Sequence, residues 1–340
     1  MLSSGAIVPV FQLMKDQGVK IDWADFLSVV RSYYSFGGNL YSMPFNSSTA
    51  ILYYNRTIFK KAGLDPTKPP KTYEEIEKAA RACVKAGATK IGFTTAWPSW
   101  TLVENAHAWH DQPFADMDNG FKGMATKLRF NGDFGVKMWT MFARWQKEGI
   151  YTYSGRTSKG DQPIVNGEAA VGLASTALVG TLTKTAKFDW GTGNLPRMAG
   201  YPQGNSIIGG ASLWVMKGKK AEEYKGVAAF LEFLGKPEQQ AWWHAATGYL
   251  PVSKSALGAL QKTDHFQKNP DMWTAFNQIM SGKTTANSQG IRLGNFAAVR
   301  DHIEAELENV VAAKKTPKQG LDDAVAQGNK VLKEFASLYK

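Results

Sequence analysis

The chain has 340 residues, 44% hydrophobic and 20% charged, the balance of a folded globular protein rather than a disordered one. That length predicts a large core divided between two domains. Forty Lys and Arg against 29 Asp and Glu give a net charge of +11, which favours anionic ligands, nucleic acid or acidic membrane surfaces. The lysines are scattered, densest at Lys217, Lys219 and Lys220 and then at Lys314 and Lys315. That pattern reads as solubility, with a small anion as the partner that the charge allows. No apolar run reaches the roughly eighteen residues of a membrane-spanning helix. Cys83 is the only cysteine, so neither an intrachain disulfide nor a multi-cysteine metal site can form.

From the N-terminus, the first informative stretch is Met43–Ala80. Asn46, Ser47, Ser48 and Thr49 read as a polar turn before a short strand, Ala50–Tyr54. An amphipathic helix and a proline-stiffened link follow. A second helix starts at Thr72, which forms a capping box with Glu75. Ile76, Ala79, Ala80, Cys83 and Val84 recur on one face, and Gly87 ends it. On that face Cys83 reads as a buried, inert thiol rather than a nucleophile. Ile91–Thr95, Ala169–Ala174 and Ala211–Val215 are short, apolar and bounded by breakers, as buried strands of α/β units are. Helices are predicted over Gly135–Lys147, with Val136, Trp139, Met141, Phe142 and Trp145 inward, and over Ala221–Leu234, with Val227, Phe230, Leu231 and Phe233 inward. Thr192–Asn205 reads as a linker and Ser281–Gly290 as a second breaker-rich zone. The last helix is capped by Thr316, carries Pro317 at its first position and Gln319 as the capping-box partner, and presents Leu321, Ala324, Val325, Val331, Leu332 and Phe335 as one stripe.

Signatures of catalysis are weak. The five histidines (His107, His110, His244, His265 and His302) form no HExxH; His107 and His110 have helical i, i+3 spacing but no further ligands, which points to packing. No G-x-S-x-G elbow occurs. Gly191–Gly193 lacks the third glycine of a dinucleotide loop, and in Ser281–Thr284 (SGKT) Asn277 stands where a P-loop needs glycine. Glu74 and Glu75 lie on a solvated helix face.

Binding chemistry is better represented. Ser206–Ala211 (SIIGGA) places two glycines before an apolar strand, either a close backbone approach to a ligand or a tight hinge. Gly248 ends the helix begun at Pro237, with Tyr249 just beyond it. Trp97 and Trp100 in AWPSW flank a turn and suit polyol stacking or cation–π contact, with loop packing as the competing role. Arg292 and Arg300 flank Asn295; either guanidinium suits a phosphate or carboxylate, although a surface ion pair is the commoner fate. Anion donors, hydroxyls and aromatics without acid–base machinery fit a binding site.

Several segments together resemble the extracytoplasmic solute-binding proteins of ABC importers, most closely the branch that takes sn-glycerol 3-phosphate. They are PFNSST (Pro44–Thr49), LYYN (Leu52–Asn55), FKKAGLDP (Phe59–Pro66), PPKTYEE (Pro69–Glu75), SIIGGASLWVMKG (Ser206–Gly218), TGYLPVSK (Thr247–Lys254), IRLGN (Ile291–Asn295) and KKTPKQGLDDAV (Lys314–Val325). The resemblance implies a type II periplasmic-binding-protein fold of two α/β lobes joined by a hinge: residues 1–48 with 207–294, and 49–206 with 295–340. It implies hydroxyls from Ser48 and Ser175, a backbone N–H from Gly210, an anion clamp of Tyr249 and Arg300, and walls from Trp97 and Trp100. The implied protein is a monomer and not an enzyme, with no cofactor, metal or nucleic-acid partner. It captures sn-glycerol 3-phosphate or a glycerophosphodiester such as glycerophosphocholine by lobe closure and delivers it to a membrane permease, in a periplasmic or other extracytoplasmic location. The alternatives are an oligosaccharide-binding relative, a carbohydrate hydrolase, which needs two carboxylates about 5–9.5 Å apart across a cleft, and a nucleic-acid binder with steep salt dependence. The family opens with a signal peptide and a strand–helix–strand unit. MLSSGAIVPVFQLMKDQG shows no such signal, so the chain is expected to begin after that unit and to expose apolar surface and strand edges.

Overall fold

A computed structural model describes residues 1–339. Its strands are β1 (Met43–Asn55), β2 (Ile91–Thr95), β3 (Tyr151–Thr152), β4 (Ala169–Ser175), β5 (Trp190–Gly193) and β6 (Ile208–Leu213), besides two short two-residue pairings. They form one mixed sheet in the order β3-β2-β4-β1-β5, with β6 also pairing β1. The helices used below are α1 (Ser28–Tyr34), α2 (Tyr73–Lys85), α3 (Asp133–Lys147), α4 (Ala221–Gly235), α5 (Pro237–Thr247), α6 (Thr274–Ser281), α7 (Phe296–Val311) and α8 (Pro317–Leu338).

β1 organises the molecule. Its first half, Met43–Thr49, pairs antiparallel with β6; its second half, Ala50–Asn55, pairs antiparallel with β4 and β5. The polar turn expected at Asn46–Thr49 is therefore strand, bulged between Pro44 and Asn46. Two of its polar side chains find partners there: Asn46 Oδ1 accepts from the Ala211 N–H (2.9 Å), and the Thr49 hydroxyl donates to the Ile207 carbonyl (3.2 Å). The second half is buried on both faces, which is why AILYY reads as a continuous apolar run. Leu52 and Tyr54 enter one core with Phe93, Leu173 and the inward faces of α2, α3, α7 and α8; Ile51 and Tyr53 enter a second with Leu27, Val30, Met43, Ile208, Leu231, Leu250 and Phe276.

Most sequence expectations hold at the level of elements. The α2 helix starts at Thr72, whose hydroxyl accepts from the Glu75 N–H (3.1 Å), but Glu75 reaches back to the Lys71 N–H (2.6 Å), one residue short of a capping box. The box at Thr316 and Gln319 is complete. Two further expectations fail. Thr192, placed in a linker, lies within β5, where its N–H and hydroxyl are held by Asp271. Phe230 and Phe233, placed in the core, stand 55% and 46% exposed. Helical geometry sets them roughly half a turn from the face that Ala228 and Leu231 bury, so the helix buries only that side here.

Candidate ligand cleft

Register places the first elements of the site. Ser175 pairs with Ala50 and Ser48 with Gly209, so the two serines and Gly209 share one face of the sheet where β1 changes partners. Above that face lies a cavity of about 640 Å3. Ser48, Trp97, Trp100, Ser175, Gly210, Tyr249 and Arg300 all line it. The paired glycines have separate reasons. A Cβ on Gly209 would sit 2.7 Å from the Trp100 ring, whereas Gly210 has φ +100° and a Cβ there would meet the Asn46 carbonyl oxygen at 2.0 Å.

Beyond β2 the chain turns sharply. Trp97 adopts φ +52°, and its N–H donates to the carbonyl of Thr157, itself at φ +51° (2.6 Å). Two non-glycine residues in left-handed backbone, each holding the other, are a strained pair, and such strain concentrates at functional sites. Trp97 remains 40% exposed; Trp100 is buried beneath Gly209. The following turns, Ser99–Glu104, are a π-helix. Its five-residue spacing sets Ser99 over Glu104, and the Ser99 hydroxyl donates to Glu104 Oε1 (3.0 Å).

Glu104 then engages Arg300 of α7. Arg300 Nε and Nη2 donate to Glu104 Oε1 and Oε2 (2.7 and 2.6 Å), a bidentate fork, and the guanidinium lies 4.4 Å over Phe296. Burial opposes the guanidinium's charge, but Glu104 holds its pKa above the ordinary value. Arg300 is thus pinned, with Nη1 outside the fork. Arg292 has another role. Its Nη2 donates to the Tyr33 and Ser35 carbonyls (2.8 and 2.7 Å), closing the C-terminus of α1, and it stacks over Phe121. Tyr33 and Tyr34, carried there, line the cavity.

Tyr249 follows Gly248, the left-handed residue ending α5 (φ +80°), and its carbonyl accepts from His244 Nδ1 (2.6 Å). His107 and His110, spaced as possible ligands, are packing residues: His107 Nδ1 binds the Val103 carbonyl, and His110 bridges the Ala106 carbonyl and the Met198 N–H. Among the described residues no group of three or more His, Cys, Asp or Glu is arranged to hold a metal ion.

Sequence reasoning missed Tyr33, Tyr34 and the acidic wall of Asp161, Asp301 and Glu304, which also line the cavity. Asp301 and Glu304 carried a readable signal, one and four residues beyond Arg300 on one helix. Asp161 and the tyrosines carried none. Burial raises the pKa of Glu304, partly offset by the Ser99 N–H and Arg156; burial pushes Asp161 up to about 6.

The family model for bacterial extracellular solute-binding proteins matches residues 4–274. The chain belongs to that family. It is a binding protein of the ABC-importer type, not an enzyme, and it works with membrane permease subunits. It is 43% identical over 340 residues to the sn-glycerol-3-phosphate-binding periplasmic protein UgpB of Escherichia coli, spanning 98% of this chain and 77% of the relative, and equally identical to that of Shigella flexneri. Among solved structures, UgpB from Mycobacterium tuberculosis in complex with glycerophosphocholine matches with a TM-score of 0.79 at 22% identity, covering 97% of this chain and 80% of that one. The GacH receptor of Streptomyces glaucescens matches with a TM-score of 0.76 at 17% identity, covering 100% and 81%. These likenesses establish the two-lobed α/β fold of this solute-binding protein.

Proposed function

We propose that this protein captures sn-glycerol 3-phosphate, or a glycerophosphodiester such as glycerophosphocholine, in the cleft and presents it to its permease in the periplasm. The observation that carries the reading is the Arg300 fork, fixed by Glu104 in the wall of the cavity that Ser48, Ser175, Gly210 and Tyr249 also line. A guanidinium with adjacent hydroxyls suits a phosphate oxygen, and Trp97 and Trp100 suit the polyol or head group. The similarity to UgpB supports the same choice. The lobes would be 1–48 with 207–294 and 49–206 with 295–340, supported by the change of partners along β1 between Thr49 and Ala50. Lobe closure desolvates the anion and lets fixed donors replace its water. The protein would act as a monomer without nucleic acid, which a sizing column with and without DNA tests.

The test of the ligand is a thermal melt with sn-glycerol 3-phosphate, glycerophosphocholine or maltose. A ligand at about a hundred times its dissociation constant stabilises by about 2.7 kcal/mol. A rise with either glycerophosphate compound and none with maltose supports the reading; a rise with maltose alone overturns it.

A further inference from the structure

Helix α7 meets the wall of the cleft at three positions, each about one turn from the last. Arg300 forks onto Glu104, and Glu304 lies at the Ser99 N–H. Glu308, the third, is not among the residues lining the cavity. It takes hold of the segment that follows β3 instead. Arg156 Nε and Nη2 donate to its Oε1 and Oε2 (2.9 and 2.6 Å), and the Tyr153 hydroxyl donates to Oε1 (3.0 Å). Directly after Arg156 comes Thr157, whose carbonyl accepts the Trp97 N–H (2.6 Å). Left-handed backbone at Trp97 and Thr157 persists only where neighbours over-determine it. The Trp97 carbonyl is fixed within its own turn, by the Thr101 N–H and hydroxyl (2.8 and 3.1 Å). Its N–H depends on Thr157. The Thr157 segment is attached at Ser154, whose hydroxyl meets that of Thr94 (2.8 Å), and at Gly160, where a Cβ would meet the Thr95 carbonyl oxygen at 2.1 Å. Both attachments return to β2, the strand that Trp97 itself follows. The Glu308 fork ties the segment to α7, the helix that carries Arg300.

We propose that Glu308 is a positioning residue for ligand binding: through Arg156 and Thr157 it holds Trp97 at a fixed place relative to Arg300. This rests on the glycerophosphate reading above, in which Arg300 takes the phosphate and Trp97 the polyol or head group. One helix then sets the spacing between the two ends of the ligand. The Arg156 and Glu308 side chains are 38% and 37% exposed, and a pair so open to water contributes little to stability. Variants that lose the fork should therefore fold, and their defect should appear in binding.

Calorimetric titration of the whole chain with glycerophosphocholine and sn-glycerol 3-phosphate tests this on the native protein, Glu308→Ala, Trp97→Ala and the double variant, each checked for folding by its melt. Trp97→Ala should weaken glycerophosphocholine about tenfold and Glu308→Ala about fivefold. The double variant should lose no more than Trp97→Ala alone, because Glu308 then has nothing left to position. Arg156→Ala cuts the same link from its other end and should repeat both the fivefold loss and the lack of additivity. A native Kd in Glu308→Ala and Arg156→Ala overturns the proposal and shows that the Thr101 contacts suffice to hold Trp97. Losses that multiply in the double variant also overturn it, since Glu308 would then act by a route independent of Trp97. If Trp97→Ala binds as tightly as the native protein, the positioning role falls and the glycerophosphate reading stands. If neither compound binds the native protein, that reading falls and the positioning role with it.

Discussion

Removing Arg300 should uncover the buried charge of Glu104. The Glu104 side chain is 1% exposed and that of Arg300 42%. Breaking a fully buried pair by deleting one partner costs about 3–5 kcal/mol. With Arg300 partly solvated, that is discounted here to about 2 kcal/mol. At about 2.1 cal/mol/K of unfolding entropy per residue, a 340-residue chain that melts as one unit has about 0.7 kcal/mol/K, so Arg300→Ala should lower Tm by about 3 °C. The decisive comparison is the double variant Arg300→Ala with Glu104→Gln, which removes both charges of this pair and should recover about 1 kcal/mol of the loss. Thermal melts of the native protein, Arg300→Ala, Glu104→Gln and the double variant provide the data. Costs that simply add, within about 0.5 kcal/mol, would refute the coupling of Arg300 to Glu104 and the view that the fork is preset.

Gly210→Ala should abolish the rise in Tm given by glycerophosphate ligands and lower Tm without ligand, because its Cβ would meet the Asn46 oxygen at 2.0 Å; an unchanged ligand response would show that β6 shifts freely. Acid should unfold the protein through its buried histidines. Burial lowers His107 to about 4, His110 to about 3 and His244 to about 4. These groups take protons in the unfolded chain below about pH 6.5 and resist them when folded, so their stabilisation is complete above pH 6.5 and is lost as pH falls towards 4. Asp161 and Glu304, both raised by burial, act oppositely and cancel up to two of the three protons. The slope between pH 5.5 and 4.5 should then fall between about 1.4 and 4 kcal/mol per unit, measurable by denaturant melts across that range.

What was legible in the sequence divides along physical lines. Strands buried on both faces, such as Ile91–Thr95 and Ala169–Ser175, and capped helices such as α8 are dictated by local periodicity and cap chemistry, and they appear where expected. The Asn46–Thr49 segment was misread because its backbone pairs with β6, roughly 160 residues downstream, which no local rule can see. Phe230 was misread because periodicity shows that a helix is apolar without showing which side has a neighbour. In the cleft, motif-bearing residues such as Gly210 and Arg300 were readable. Asp161 was not, since an isolated acid signals nothing until its lack of a partner is visible.

The switch of pairing within β1 has a mechanical consequence. With the lobes proposed above, Ser48 and Ser175, within two residues of the point where the strand leaves β6 and joins β4, would lie close to the axis of rotation of one lobe against the other. Atoms near a pivot barely travel, whereas those farther from it sweep longer arcs. On the proposed site a solute would therefore meet the two hydroxyls in nearly the same place with the cleft open or closed. Its orientation would be set at that floor, and the lifetime of the complex by the groups that travel farther.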